Sequence, residues 1–221
     1  PNTKRVLDAD GVEVSREEFY YDGHDSLTAA PERGDVTRSR ALLAENQWVE
    51  VSAGYDSYGN VVEDMDANGG TTRYTYDATN RFPVLTINAL GHEFTATHDA
   101  EGRMLSAADP NGYTATYDYD VFGRKTAEVL PYDTEAEPTT TWAYALDGQA
   151  PEWAVVSHAV DNGVRYEETA VVDGFGRTVQ EKHDTDGGNN AVVDTYYNSL
   201  GKVSAVTNAY MAAPTDGYIS P

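Results

Sequence analysis

The chain has 221 residues, with 37 Asp and Glu against 15 Lys and Arg, a formal net charge of −22, and 16 Tyr against 5 Phe. Phosphate binding requires clustered Lys and Arg, so this balance excludes nucleic acid as a partner and disfavours anionic membrane surfaces. Cysteine is absent, which rules out a disulfide framework and a thiolate metal site. No run approaches the roughly 18 apolar residues of a spanning helix, so no membrane insertion is expected.

The chain opens at Pro1 without an initiator Met or an apolar leader and closes on Ser220-Pro221, which leads us to expect a segment of a longer protein. Residues 1–54 are predicted as a β-rich segment. Within it, Thr37 to Glu45 has the content of a short helix begun by a Thr cap, with Ala41, Leu42, Leu43 and Ala44 as its apolar residues. A strand hairpinned through Ala44 to Gln47 onto Trp48-Val49-Glu50-Val51 is preferred, because hairpins surround it.

Residues 55–130 carry a regular repeat. Tyr55-Asp56-Ser57-Tyr58-Gly59-Asn60, Tyr76-Asp77-Ala78-Thr79-Asn80-Arg81, His98-Asp99-Ala100-Glu101-Gly102-Arg103 and Tyr119-Asp120-Val121-Phe122-Gly123-Arg124 place their aspartates 21, 22 and 21 residues apart. A second signal falls midway, at Asp66-Ala67-Asn68-Gly69, Asn88-Ala89-Leu90-Gly91 and Asp109-Pro110-Asn111-Gly112. Two turns per repeat leave two short strands per repeat. Asp first and Gly fourth suit a type I turn followed by a left-handed residue, and Asn80, standing where Gly would, tolerates positive φ best. Between turns, Tyr113, Ala115, Tyr117 and Tyr119 alternate with Thr114, Thr116 and Asp118, which predicts strands with an aromatic face and a wet one.

Residues 131–163 form a Pro-rich insertion with an irregular hairpin, containing Pro131, Pro138, Pro151 and an acidic stretch from Asp133 to Glu137. Residues 164–221 return to degenerate copies, Val172-Asp173-Gly174-Phe175-Gly176-Arg177 and Tyr197-Asn198-Ser199-Leu200-Gly201-Lys202. The candidate structural turn residues are therefore Asp56, Gly59, Asp77, Asn80, Asp99, Gly102, Asp120, Gly123, Asp173, Gly176, Asn198 and Gly201.

Few residues suggest chemistry. Asp64, Asp66 and Asn68, followed by Gly69, match the first half of a calcium loop, but the twelfth position is Thr75 where a bidentate Glu belongs. Such a site would bind weakly, and Asp66 already serves a half-repeat turn. His24, His92, His98, His158 and His183 show no ligand spacing, and no Gly-x-Ser-x-Gly elbow occurs. Glu17-Glu18 and Glu167-Glu168 would point to opposite sheet faces, which is wrong for shared acid–base work. Tyr residues with Trp48, Trp142 and Trp153 could stack on sugars, but ladder packing accounts for them more simply. No catalytic residue, metal or cofactor is expected.

The Tyr-Asp-x-x-Gly-Arg units at about 21-residue spacing resemble the YD repeats of the Rhs, teneurin and Tc-toxin families across most of residues 50–205. The units at 172–180 and 197–203 look most like the repeat region of Tc-toxin B components. The resemblance implies an all-β fold in which repeated antiparallel hairpins form a long curved strip, part of a hollow shell. In bacterial toxins such a shell encloses a toxic polypeptide; in teneurins it belongs to an adhesion receptor. The implied partners are the remaining repeats of the shell and an enclosed toxin or effector polypeptide, and the implied location is secreted or cell surface. Asp109-Pro110-Asn111-Gly112 is similar to the Asp-Pro-x-Gly end of the self-cleaving segment of Rhs shells, but here the repeats run on beyond it. Encapsulation by a non-enzymatic shell segment is the resulting expectation. The alternative is an adhesive or carbohydrate-binding β-repeat module, distinguished by aromatics exposed in a groove.

Overall fold

The computed structural model describes residues 2–44, 47–145, 148, 151–161 and 163–220. Glu45 in the expected loop between the strands around 44 and 47 lies outside the described residues, as do the terminal Pro1 and Pro221. Strands and turns, with no helix, make up the described residues. The chain divides into two compact units, residues 1–113 and 114–221.

The first unit contains nine described strands: β1 Thr3–Leu7, β2 Glu13–Tyr21, β3 Val36–Ala44, β4 Gln47–Tyr55, β5 Val61–Met65, β6 Thr71–Tyr76, β7 Pro83–Ile87, β8 Glu93–His98 and β9 Met104–Ala108. Each pairs antiparallel with the next. Residues 37–44 thus lie within a strand, with Ala41 opposite Val49 and Leu42 opposite Trp48. The register shifts beside Tyr55, Tyr76 and His98, the residues that precede a repeat aspartate. A bulge there bends the strand and strengthens its twist.

The second unit contains β10 Thr114–Tyr119, β11 Lys125–Val129, β12 Thr140–Ala145, β13 Glu152–Asp161, β14 Val164–Val172, β15 Thr178–Asp184, β16 Asn190–Tyr197, β17 Val203–Val206 and β18 Tyr210–Ala212. Strands β10 to β16 pair in sequence. Both β17 and β18 then lie along the far edge of β16. They are joined where the Asp194 N–H donates to Thr207 Oγ1 at 2.9 Å and the Thr207 N–H donates to the Asp194 carbonyl at 3.0 Å. In the Pro-rich segment, Leu130 to Asp133 make a turn with Tyr132 at φ 83°, followed by an isolated bridge from Thr134 to Glu137.

Alternation is visible in burial. Tyr74 and Tyr76 are half-buried while Arg73 and Thr75 are exposed, and Ala115, Tyr117 and Tyr119 are half-buried while Thr114, Thr116 and Asp118 are exposed. Tyr113 departs from this ladder and is exposed, because it closes the Asp109 turn. Among the described residues only Tyr20, Val155, Val171 and Val192 are buried large hydrophobics, so these hairpins have little apolar interior. Thr169, Val171, Gln180, Lys182, Asn190, Val192 and Asp194 occupy one face of β14 to β16 and are all buried. Residues 215–219 lie against that face and hydrogen-bond to it.

Candidate functional site

The repeating chemical unit is the turn. At Asp120, Oδ1 accepts the N–H of Phe122 and of Arg124, both at 2.9 Å, while the Gly123 N–H donates to the Asp120 carbonyl at 3.0 Å. Asp56, Asp99, Asp173 and Asn198 accept from the residues two and four positions on in the same way. Asp77 accepts from Arg81 and Phe82, with Asn80 at φ 56°. Gly59, Gly102, Gly123, Gly176 and Gly201 all have φ between 73° and 88°, a region that only Gly enters without strain. The half-repeat turns at Asp66, Asn88 and Asp109 use the same bonds.

Hydrogen bonds set the acidity of these carboxylates. Burial would raise Asp56, Asp99, Asp109 and Asp120, but the turn N–H groups and side-chain donors outweigh it and hold all four below the usual value. The Arg177 side chain is the leading cause for Asp173, and the Thr79 hydroxyl for Asp77, both also lowered.

Arg and Tyr connect one repeat to the next. The Arg124 guanidinium pairs with Asp120 at 2.6 Å and lies 5.2 Å from the Phe122 ring centroid and 4.4 Å from that of Tyr144. Arg177 pairs with Asp173 at 2.5 Å and lies 5.1 Å from Phe175 and 4.5 Å from Tyr197. Each arginine is thereby held between the turn's own aromatic tip and the tyrosine of the following hairpin, an electrostatically favourable arrangement. The Tyr hydroxyls donate back to main-chain carbonyls just beyond an earlier turn: Tyr55 to Val36, Tyr76 to Val61, Tyr144 to Lys125 and Tyr197 to Thr178, at 2.9–3.1 Å. His98 stands in this series without a hydroxyl. Its ring stacks on Phe82 at 5.3 Å, and its Nδ1 is buried without a partner.

The first unit has a further staple. Asp22, at φ 54°, accepts main-chain N–H bonds from Glu32, Arg33, Gly34 and Asp35 and so closes the long loop between β2 and β3. Burial opposes this charge, but the four donors prevail and the carboxyl is lowered to about 2. Glu18, buried on β2 four residues before Asp22, accepts from Arg40 at 2.7 Å and from the Tyr20 hydroxyl at 3.1 Å.

In the half calcium motif, Asp64 accepts the Tyr74 hydroxyl at 3.0 Å, and Asp66 accepts the N–H of Asn68 and Gly70. Among the described residues no three His, Cys, Asp or Glu side chains converge as a metal set. Trp48, Trp142 and Trp153 are half-buried, with Arg40 over the Trp48 ring at 4.4 Å and Lys125 5.3 Å from that of Trp142. Sequence reasoning missed the Arg–Tyr links, the Asp22 staple and the buried pair Gln180 and Lys182. The first left a signal, a Tyr 20 residues after Arg124 and after Arg177; the others left none, since their partners lie in irregular segments.

Residues 55–92 and 98–135 match the family model described as RHS repeat. The described residues form an antiparallel β-protein in which these two stretches, about a third of the chain, are similar to RHS repeats. Its fold is similar to the crystal structure of TcdB2-TccC3, with a TM-score of 0.68 and 13% identity over 87% of this chain and 14% of that one. TcdB2-TccC3 without its hypervariable C-terminal region gives a TM-score of 0.71 and 11% identity over 90% of this chain and 17% of that one. A Photorhabdus luminescens Tc holotoxin pore gives 0.51 and 13% identity over 92% and 14%. At these identities the likeness is one of fold, and the chain spans only 14–17% of the length of these structures. No curated protein sequence matches the chain significantly.

Proposed function

We propose that this chain is a structural segment of a hollow β-shell that helps to encapsulate a toxin or effector polypeptide in a secreted protein. The observation that carries the reading is a run of RHS-type hairpins with so few buried hydrophobic residues that each strand serves a wall. Likeness of fold to Tc-toxin structures supports it. In this reading the strip is curved, and its successive segments, 1–54, 55–130, 131–163 and 164–221, all contribute wall. The turn residues from Asp56 to Gly201 then hold the wall together and perform no catalysis. Asp64, Asp66 and Asn68 serve strand and turn, and no cofactor is needed. The partners are the remaining repeats and the enclosed polypeptide, and the protein works outside the cell or at its surface.

Electron microscopy of the purified parent protein tests this. A hollow particle with internal density, and a polypeptide that resists protease until the wall is denatured, are the expected results. A solid particle, or a parent with adhesion modules and no enclosed polypeptide, sinks the reading.

A further inference from the structure

The geometry points to a main-chain docking groove on the face of β14 to β16, with residues 213–220 as its occupant, a separable strap recognised by its backbone and not by its side chains. Lys182 is fully buried, and its ammonium donates to the carbonyls of Thr215, Asp216 and Gly217, the last two at 2.8 Å. Three donors thus meet three carbonyls, which is how a buried ammonium avoids the cost of lost hydration. Among the described residues Lys182 makes no ion pair with a carboxylate. Burial depresses its pKa, with Asp216 opposing at longer range.

Two positions away on the same face, the Gln180 carboxamide engages both main-chain groups of Ile219: Oε1 accepts its N–H at 2.9 Å and Nε2 donates to its carbonyl at 2.8 Å. Nε2 also donates to Asp194 Oδ1 at 2.7 Å. The Ile219 carbonyl only accepts and its N–H only donates, so these two contacts fix which way the carboxamide faces. Gln180 and Asp194 are both buried. Every hydrogen bond from Lys182 or Gln180 to the strap ends on peptide N–H or C=O. A groove that reads backbone accepts an extended segment with little regard to its side chains.

Hydrogen exchange by NMR on the full chain tests the clamp. Lys182→Met and Gln180→Leu are expected to speed exchange of the Ile219 amide at least tenfold while amides of β2 to β8 stay unchanged; unchanged Ile219 exchange in both variants overturns the proposal. A chain ending at Ala212, titrated with a synthetic peptide of residues 213–220, tests what is read. Peptides with Thr215→Ala, Asp216→Asn and Ile219→Val should bind within threefold of the parent peptide, and one N-methylated at Ile219 at least tenfold more weakly. Side-chain changes that weaken binding more than the N-methyl group overturn backbone recognition. Should the shortened chain fail to fold, the full-chain exchange result decides.

Discussion

A carboxylate that accepts several main-chain N–H bonds is the recurring residue-scale device, and its charge is what gives it strength. Asp22 shows the consequence most clearly. Its folded-state value of about 2 lies below the ordinary carboxylate value near 3.9. The sign follows: the staple contributes fully above that ordinary value and is lost as pH falls through about 2. Asp22→Asn should therefore leave the first unit less stable at pH 6 and flatten its stability between pH 4 and pH 2, read by urea unfolding at each pH. An unchanged slope in that window would sink the assignment. Glycine offers a second contrast. A Cβ at Gly102 would sit 2.5 Å from the Phe82 ring, whereas at Gly59 it would meet nothing, though both have φ 88°. Gly59→Ala should cost about 1 kcal/mol of backbone strain and Gly102→Ala about 2–3 kcal/mol. Equal urea midpoints for the two would show that Phe82 moves aside without penalty.

Between elements, the repeat is held by side-chain bonds that reinforce the ladder between neighbouring strands. Tyr144 donates to the Lys125 carbonyl and carries Arg124 on its ring, so one side chain ties the hairpin of β12 to the turn between β10 and β11. Removing only the hydroxyl, in Tyr144→Phe, should cost about 1 kcal/mol, the net worth of one hydrogen bond. Tyr144→Ala also removes the arginine's stacking surface and should cost at least twice as much; denaturant titration distinguishes them. If Phe and Ala variants unfold together, the ring contributes nothing beyond its hydroxyl. These links were poorly legible in the sequence for a physical reason. Alternation shows that a Tyr lies on the half-buried face, but not which carbonyl its hydroxyl reaches, because that depends on register between strands about 20 residues apart. The preference for a strand at residues 37–44 over a helix rested on the neighbouring hairpins, since four apolar residues in a row satisfy either period.

For the molecule as a whole, a charge of −22 on 221 residues sets a background of self-repulsion that the local Arg–Asp pairs only partly offset. Salt screens the long-range repulsion among exposed charges more effectively than short contacts in half-buried turns. Raising NaCl from about 0.05 to about 0.5 M, which shortens the Debye length from roughly 14 Å to roughly 4 Å, should raise the melting temperature, and a fall would mean that the ion pairs outweigh the repulsion. What the sequence by itself determined is the all-β hairpin repeat, because each Asp-x-x-Gly turn and the alternation of Tyr with Thr act within a few residues of chain and recur every 21 or 22 residues. Only the tertiary structure decided that Lys182 and Gln180 are buried and hold residues 215–219 by their backbone. Their partners lie 33 to 39 residues away in a segment without periodicity, and a polar residue in an alternating strand reads as solvent-facing until something covers it.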